Sequence, residues 1–251
     1  MNFFATANIG EFFTSVWQNI ESFFITAWEN FYNTLIYKDR YMYIVDGLKQ
    51  TIFITLVAVV IGIVLGTLIA LIKVAARGNR KLRPLEWIAN LYLTVIRGTP
   101  MVVQLMIVYY LILTSADKVT AAIIAFGINS GAYVAELVRS GILSVDGGQT
   151  EAGRSLGLPQ RTVMTRIVFP QALKNILPAL GNEFIVLLKE TSVAGFIGVV
   201  DLSKAGDIIL SQTYDAFYPL ISIAIIYLIL VMGLTVALSA LERRLRQSDI
   251  R

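Results

Sequence analysis

The stretch "EAGRSLGLPQRTVMTRIVFPQAL", Glu151 to Leu173, places Glu151, Arg154, Arg161 and Arg166 between two strongly apolar regions. Gly147-Gly148, just upstream, opens a short helix that continues through Leu156. Gly157 is its expected stop, because glycine takes the left-handed cap without strain. Pro159 suits the first turn of a second short helix. Pro170 then closes that helix or starts the next one. The pattern predicts a stiff, basic helical elbow. The alternative reading is a solvated loop that merely connects helices.

The surroundings set the class. The chain has 251 residues, 56% hydrophobic and 15% charged, with a mean hydropathy of +0.70. A soluble domain carries about 25% charged residues, so this is the composition of a membrane protein, read as one compact domain. The formal charge of +4 marks cytoplasmic loops rather than nucleic-acid contacts. There is no Cys and no His. Disulfides, thiol nucleophiles, ordinary zinc sites and His general bases are therefore excluded. No G-x-x-x-x-G-K-[ST] occurs, so the chain has no phosphate loop of its own. Nothing offers a nucleophile and base for a membrane-bound enzyme.

Five segments are long enough to cross a core about 30 Å thick: roughly 48–72, 86–113, 119–142, 175–200 and 217–240. One side of such a bundle collects Lys73, Arg77, Arg80, Lys81 and Arg83, then Arg139, Arg154, Arg161, Arg166 and Lys174, then Arg243, Arg244, Arg246 and Arg251. The other keeps Lys38, Arg40, Lys49, Lys118 and Lys204. The excess of Lys and Arg marks the cytoplasmic side. It predicts an outside N-terminus, a cytoplasmic C-terminus and a cytoplasmic elbow over 144–172.

Residues 1–40 form a separate N-terminal segment ahead of a membrane domain over 41–251. They do not read as a signal peptide, since no Lys or Arg precedes Lys38. Phe12, Phe13, Val16, Trp17, Ile20, Phe23, Phe24, Trp28 and Phe31 recur at helical spacing, interrupted by Glu11, Glu21 and Glu29. This predicts an amphipathic helix in the membrane interface in preference to a span.

Charges within spans are functional candidates. In "GNEFIVLLKET", Asn182, Val186 and Lys189 share one face, and Glu183, Leu187 and Glu190 the next. Two polar stripes suit a water-filled passage. Lys189 would serve a carboxylate, and Glu183 or Glu190 an ammonium. The bland alternative is an ion pair that holds helices together. "RGTP" at Arg97–Pro100 should break its span, making Thr99 and Gln104 lining candidates and leaving Arg97 to tie the break to a neighbouring helix or a headgroup. Asn129 is a further lining candidate, beside Gly131, whose expected role is packing. Glu136 and Arg139 read as a local ion pair. Gly62 and Gly66 form a close-packing G-x-x-x-G face with its partner open. "DLSKAGDIILSQTYDAF" reads as a gate helix, a landing site or a plain connector.

The E-A-G-x-x-x-G spacing followed by Ile167 and Pro170 resembles the EAA signature of ABC importer permeases. That pattern has Glu-Ala-Ala, a Gly four residues after the second Ala, then Ile-x-Leu-Pro. Here Gly153 stands at the second Ala and Phe169 at the Leu. Gly153 weakens a helix by about 1 kcal/mol relative to Ala. "GLKQTIFITLVAVVIGIVLGTLIAL" is similar to the family's first core span. "RGTPMVVQL", "AAIIAFGINSGAYVAELVRSGILSVDGGQTEA" and "PALGNEFIVLLKETSVAGFIGVVDL" resemble the subfamily serving polar amino acids. The resemblance begins near residue 46 and leaves out the first forty residues. It implies an all-α type I importer permease of about five core spans in a bacterial-type inner or plasma membrane. Glu151, Ala152, Gly153, Arg154, Gly157, Ile167 and Pro170 would dock it on an ATP-binding subunit. Two such subunits, a second permease chain, and an external or fused substrate-binding domain complete the implied assembly. ATP and magnesium would sit on the ATPase, with no cofactor on this chain. An ion-coupled carrier or channel, using Glu183, Lys189 and Glu190 without an ATPase, is the rival reading.

Overall fold

The computed structural model describes residues 9–76 and 79–247. Arg77, Arg251 and residues 1–8 of the N-terminal segment lie outside the described residues, as do the side chains of Glu11, Phe12 and Arg246. The fold is helical: α1 (Ile9–Phe31), α2 (Tyr41–Ala76), α3 (Arg83–Gly98), α4 (Met101–Ile107), α5 (Lys118–Leu143), α6 (Gly147–Ser155), α7 (Gln160–Val163), α8 (Phe169–Glu190), α9 (Leu202–Thr213) and α10 (Phe217–Gln247). Among the described residues, α2, α5 and α10 are each long and apolar enough to cross a membrane. Arg80–Gly98 and Met101–Ile112, which contain α3 and α4, reach that standard only together, with a bend of 110° at the break, the geometry of a broken span or of a re-entrant loop. The remaining expected crossing is α8 followed by a 3-10 segment, Thr191–Ile197. Lys174, Glu183, Lys189 and Glu190 keep it less apolar than the others. A helix whose polar groups meet protein need not resemble one that faces lipid.

The bundle is organised on α5, which packs most extensively against α2. Asp117 caps it, accepting from the N–H groups of Val119 and Thr120 at 3.0 Å. The Thr120 hydroxyl, then its N–H, hold the Asp117 carboxyl below the ordinary carboxylate range. Gly62 and Gly66 meet α5 of this same chain. A Cβ on Gly62 would lie 2.8 Å from Ser130 Oγ, and one on Gly66 2.6 Å from the Gly131 carbonyl oxygen. The open question about the G-x-x-x-G face is thus answered within one chain. Two apolar clusters lie along the seam. One joins Ile54, Leu105, Phe126, Leu187 and Ile197. The other joins Ala70, Val134, Val138, Val163 and Ile176, at the elbow end.

The break at Arg97–Pro100 is sharper than an interrupted span. Thr99 is extended (φ −121°, ψ 147°), as the residue before proline must be. The freed carbonyls are claimed by one side chain. The two N–H groups of Gln104 Nε2 are shared among three acceptors, Ile96 O at 2.6 Å, Thr99 O at 3.0 Å and Thr99 Oγ1 at 2.8 Å. Gln104 Oε1 accepts from Asn129 Nδ2 at 3.0 Å. Tyr92 adds a second tie to α5, donating to Ile128 O at 2.5 Å.

Gly66→Ala should lower stability by about 1–3 kcal/mol through overpacking. Its new methyl meets backbone atoms that cannot swing aside, including Ala135 N at 2.7 Å. Gly98→Ala, with nothing within 4 Å, is the control. Thermal unfolding in detergent should separate them, and equal midpoints would count against the close approach. Gln104→Leu should cost about 1–3 kcal/mol by stranding buried polar partners. The same assay reads it, and an unchanged midpoint would show that the network contributes nothing.

Candidate functional site

The elbow is built by caps. Asp146 opens α6, accepting from Gly148 N at 2.9 Å. An Asp before a helix start was a readable signal that the pattern of glycines obscured. Gly157 closes α6 in the left-handed region (φ +80°). Its N–H reaches Arg154 O at 2.9 Å, and Leu158 N reaches Gly153 O at 3.2 Å, a double closure that satisfies two terminal carbonyls. Pro159 then serves as the N-cap of α7, one residue earlier than a first-turn position. Arg154 Nη1 crosses the corner to Gln160 Oε1 at 3.0 Å.

Beyond the corner, α7 passes through a π turn, Met164–Val168, directly into α8. Pro170 lies in the first turn of α8, so it opens the next span and does not close the short helix. Gly153 is buried, and a Cβ there would lie 2.9 Å from Val163 Cγ2 and 3.1 Å from Ile167 Cδ1. Its missing methyl lets α6 lie close on the following helix, which offsets its weak helix propensity. Ile167, half-buried, packs beneath with Val163. Glu151, Ala152 and Arg154 face outward. Leu156, at 81% exposure, is the apolar tip that sequence reasoning had not singled out.

The intramembrane candidates fall into two groups. Asn129, Gln104 and Thr99 are joined at the break by the bonds above. The neighbouring Ser130 donates to Glu183 Oε1 at 2.9 Å. The adjacent pair Asn129–Ser130 therefore links the break to α8. Nothing in the sequence paired Ser130 with Glu183, since they lie on separate helices. Asn182 and Lys189 are exposed on their stripe, while Glu183 and Glu190 are half-buried on theirs. Lys189 and Glu190 stand about 10 Å further along α8, at 1.5 Å per residue. The segment that follows them, Thr191–Ile197, packs against α4. Glu136 and Arg139 pair as expected, with Arg139 Nε donating to Glu136 Oε2 at 3.0 Å. The Arg97 guanidinium lies 5.6 Å from the Tyr133 ring centroid, a cation–π tie between the break and α5.

Comparison with known proteins places this geometry. Residues 58–247 match the family described as binding-protein-dependent transport system inner membrane component. The chain is 41% identical to the arginine transport system permease protein ArtQ of Bacillus subtilis (strain 168), over 82% of this chain and 94% of that protein. It is 35% identical to the glutamine transport system permease protein GlnP of Escherichia coli (strain K12), over 81% and 93%. A crystal structure of an amino acid ABC transporter with histidines superimposes with a TM-score of 0.76 at 45% identity, covering 80% of this chain and 94% of that one. The inward-facing MetNI methionine ABC transporter shares the fold, with a TM-score of 0.71 at 22% identity over 83% and 98%. These matches do not favour a channel or carrier that works without an ATPase. The chain belongs to the binding-protein-dependent inner membrane component family, the permeases of ABC importers, and has their type I fold.

Proposed function

We propose that the chain forms the translocation pathway of an ATP-driven importer for polar amino acids and is driven through residues 144–172 by a separate ATPase. The observation that carries the coupling role is the elbow itself. Its inner side, Gly153, Val163 and Ile167, is packed into the bundle. Its outer side presents Glu151, Ala152, Arg154 and the bare Leu156. A capped, internally packed element with an exposed apolar tip is suited to docking.

Two permease chains, alike or similar, would each rest on one ATP-binding subunit, and ATP and magnesium would be held there. A substrate-binding protein or fused domain would deliver an amino acid on the side of α9. The Lys and Arg distribution supports an outside N-terminus and a cytoplasmic elbow. Lys189 is the group for a substrate carboxylate. Glu190 and Glu183 are the groups for an ammonium. Asn129, Thr99 and Gln104 are the lining groups at the break. Each must bind differently in the two states, because a ligand moves a conformational equilibrium only by its differential affinity.

Gly157→Asp should leave membrane insertion intact and reduce both ATPase co-purification and coupled uptake. Any L-residue is strained at φ +80°, by about 1 kcal/mol, and this one adds an acid to a basic surface. Pull-down from solubilised membranes followed by proteoliposome uptake measures it; native levels of both would sink the docking role. Glu190→Gln should change affinity for a cationic or zwitterionic amino acid by roughly tenfold, about 1.4 kcal/mol, without altering subunit assembly. Unchanged affinity in an assembled complex would make Glu190 structural.

A further inference from the structure

Helix α1 precedes residue 58, where the family match begins, and the assembly proposed above gives it no role. On a helical wheel Phe13, Trp17, Ile20, Phe24, Trp28 and Phe31 fall on one face, at i, i+4, i+7, i+11, i+15 and i+18. Ser15, Gln18, Ser22, Thr26 and Glu29 fall on the opposite face. The apolar face is largely bare: Trp17 is 68% exposed and Phe24 67%. Its C-terminal end is fastened at the start of α10. Tyr218 Oη donates to Ala27 O at 3.0 Å, and the Phe31 and Tyr218 rings meet edge to face at 6.1 Å. Thr34 Oγ1 donates to Asp215 Oδ2 at 2.9 Å. Tyr218 is the second residue of a membrane-spanning helix. The aromatic helix therefore leaves the bundle where α10 enters the bilayer. It is not itself among the helices apolar enough to span.

We propose that α1 is an interfacial anchor, lying in the leaflet on the α9 side, and that its C-terminal turn receives the ammonium headgroup of a zwitterionic phospholipid. A cleft of about 460 Å³ is lined there by Trp28, Glu29, Tyr32 and Asn33. It sits where the apolar and polar faces of α1 meet, at the level of lipid headgroups. Indole and phenol faces beside a carboxylate attract a cation. The charge of the segment selects the lipid. No Lys or Arg precedes Lys38, whereas Glu11, Glu21 and Glu29 are all acidic. Arg40 donates to Asn33 O at 2.6 Å beside the cleft, so that a phosphate can meet Arg40 while the ammonium meets Glu29, a pair of charges that a zwitterionic headgroup carries and phosphatidylglycerol does not. Depth follows from the single apolar face, which buries about 5–10 Å into the boundary between headgroups and acyl chains. The inference uses the membrane level set by α10. It depends on neither the substrate nor the ATPase.

The chain has three tryptophans, and Trp87→Phe removes the one outside α1, leaving Trp17 and Trp28 as reporters. Trp87 is 66% exposed on α3; Trp87→Tyr serves if the first variant assembles poorly. The assembled permease is placed in nanodiscs of phosphatidylethanolamine carrying bromines either near the headgroup or near the chain end. Shallow bromines should quench the emission more strongly than deep bromines, because the apolar face lies only about 5–10 Å into the boundary. Stronger quenching by deep bromines would mean that α1 spans, and quenching by aqueous iodide alone would mean that it is not on lipid; either result overturns the anchor. In mixtures with phosphatidylglycerol, quenching should be stronger when phosphatidylethanolamine carries the bromines, and Glu29→Gln should remove that preference. No preference in the unaltered cleft would overturn the headgroup site.

Discussion

The close approach of α2 and α5 is the constraint on which the rest depends. Lipid offers no hydrophobic force to press two helices together, so the seam must be held by packing. Gly62 and Gly66 provide it by letting Ser130, Gly131, Val134 and Ala135 come against the α2 backbone. With that distance fixed, Asn129 and Ser130 point their side chains from a buried stretch of α5, where water cannot satisfy them. Each then needs a partner from another helix. Gln104 answers the first and Glu183 the second. The small residues and the polar ones are two parts of one device. The first set the spacing, and the second fix which helices may occupy it.

The same reasoning explains how a break can sit inside a membrane domain. A bend of 110° between α3 and α4 releases carbonyls that a bilayer cannot hydrate. Gln104 takes up two of them, from Ile96 and Thr99. Thr99 turns its own hydroxyl back to Val95 O at 2.9 Å. Gln104 is thus occupied by the break in this conformation, and its role toward a solute requires exchange of those bonds for others. Such exchange is well matched to a pathway that must open and close, since bonds traded one for one cost little net free energy.

Much of this was legible in the sequence because its signals are local. Gly157 as a left-handed cap, the Glu136–Arg139 pair and the interruption at Pro100 each depend on residues within one or two turns. The EAA spacing carried the family. What the sequence did not disclose was angular or long-range. "RGTP" announces a break but not its bend, which is set by where Gln104 finds acceptors. Ser130 and Glu183 lie on separate helices, and no periodicity links them. The same limit applied to Gly153. Read alone, it weakens α6; beside Val163 and Ile167 it is the residue that lets the elbow fold on itself.

The elbow and the intramembrane charges are connected by continuous chain. From Gln160 the helix runs through the π turn at Met164–Val168 into α8 and on to Glu190. The 22 residues of α8 span about 33 Å at 1.5 Å per residue, roughly the thickness of the hydrocarbon core. On the proposed reading, a displacement applied at Leu156 and Arg154 crosses only the corner up to Pro159, which Arg154 bridges to Gln160, before the continuous helix delivers it to Glu183 and Lys189. Two features modify that lever. The π turn is a point of irregular bonding near its base, and Pro178 lies within it, where it removes one ladder hydrogen bond. A wholly rigid α8 would translate as a rod and move both stripes together. A helix able to bend near Pro178 can move its elbow end while Ser130 still holds Glu183. The order of events then depends on which yields first, the bend at Pro178 or the Ser130–Glu183 bond. Because that bond joins α8 to the helix that also anchors Gln104, releasing it would loosen the break as well.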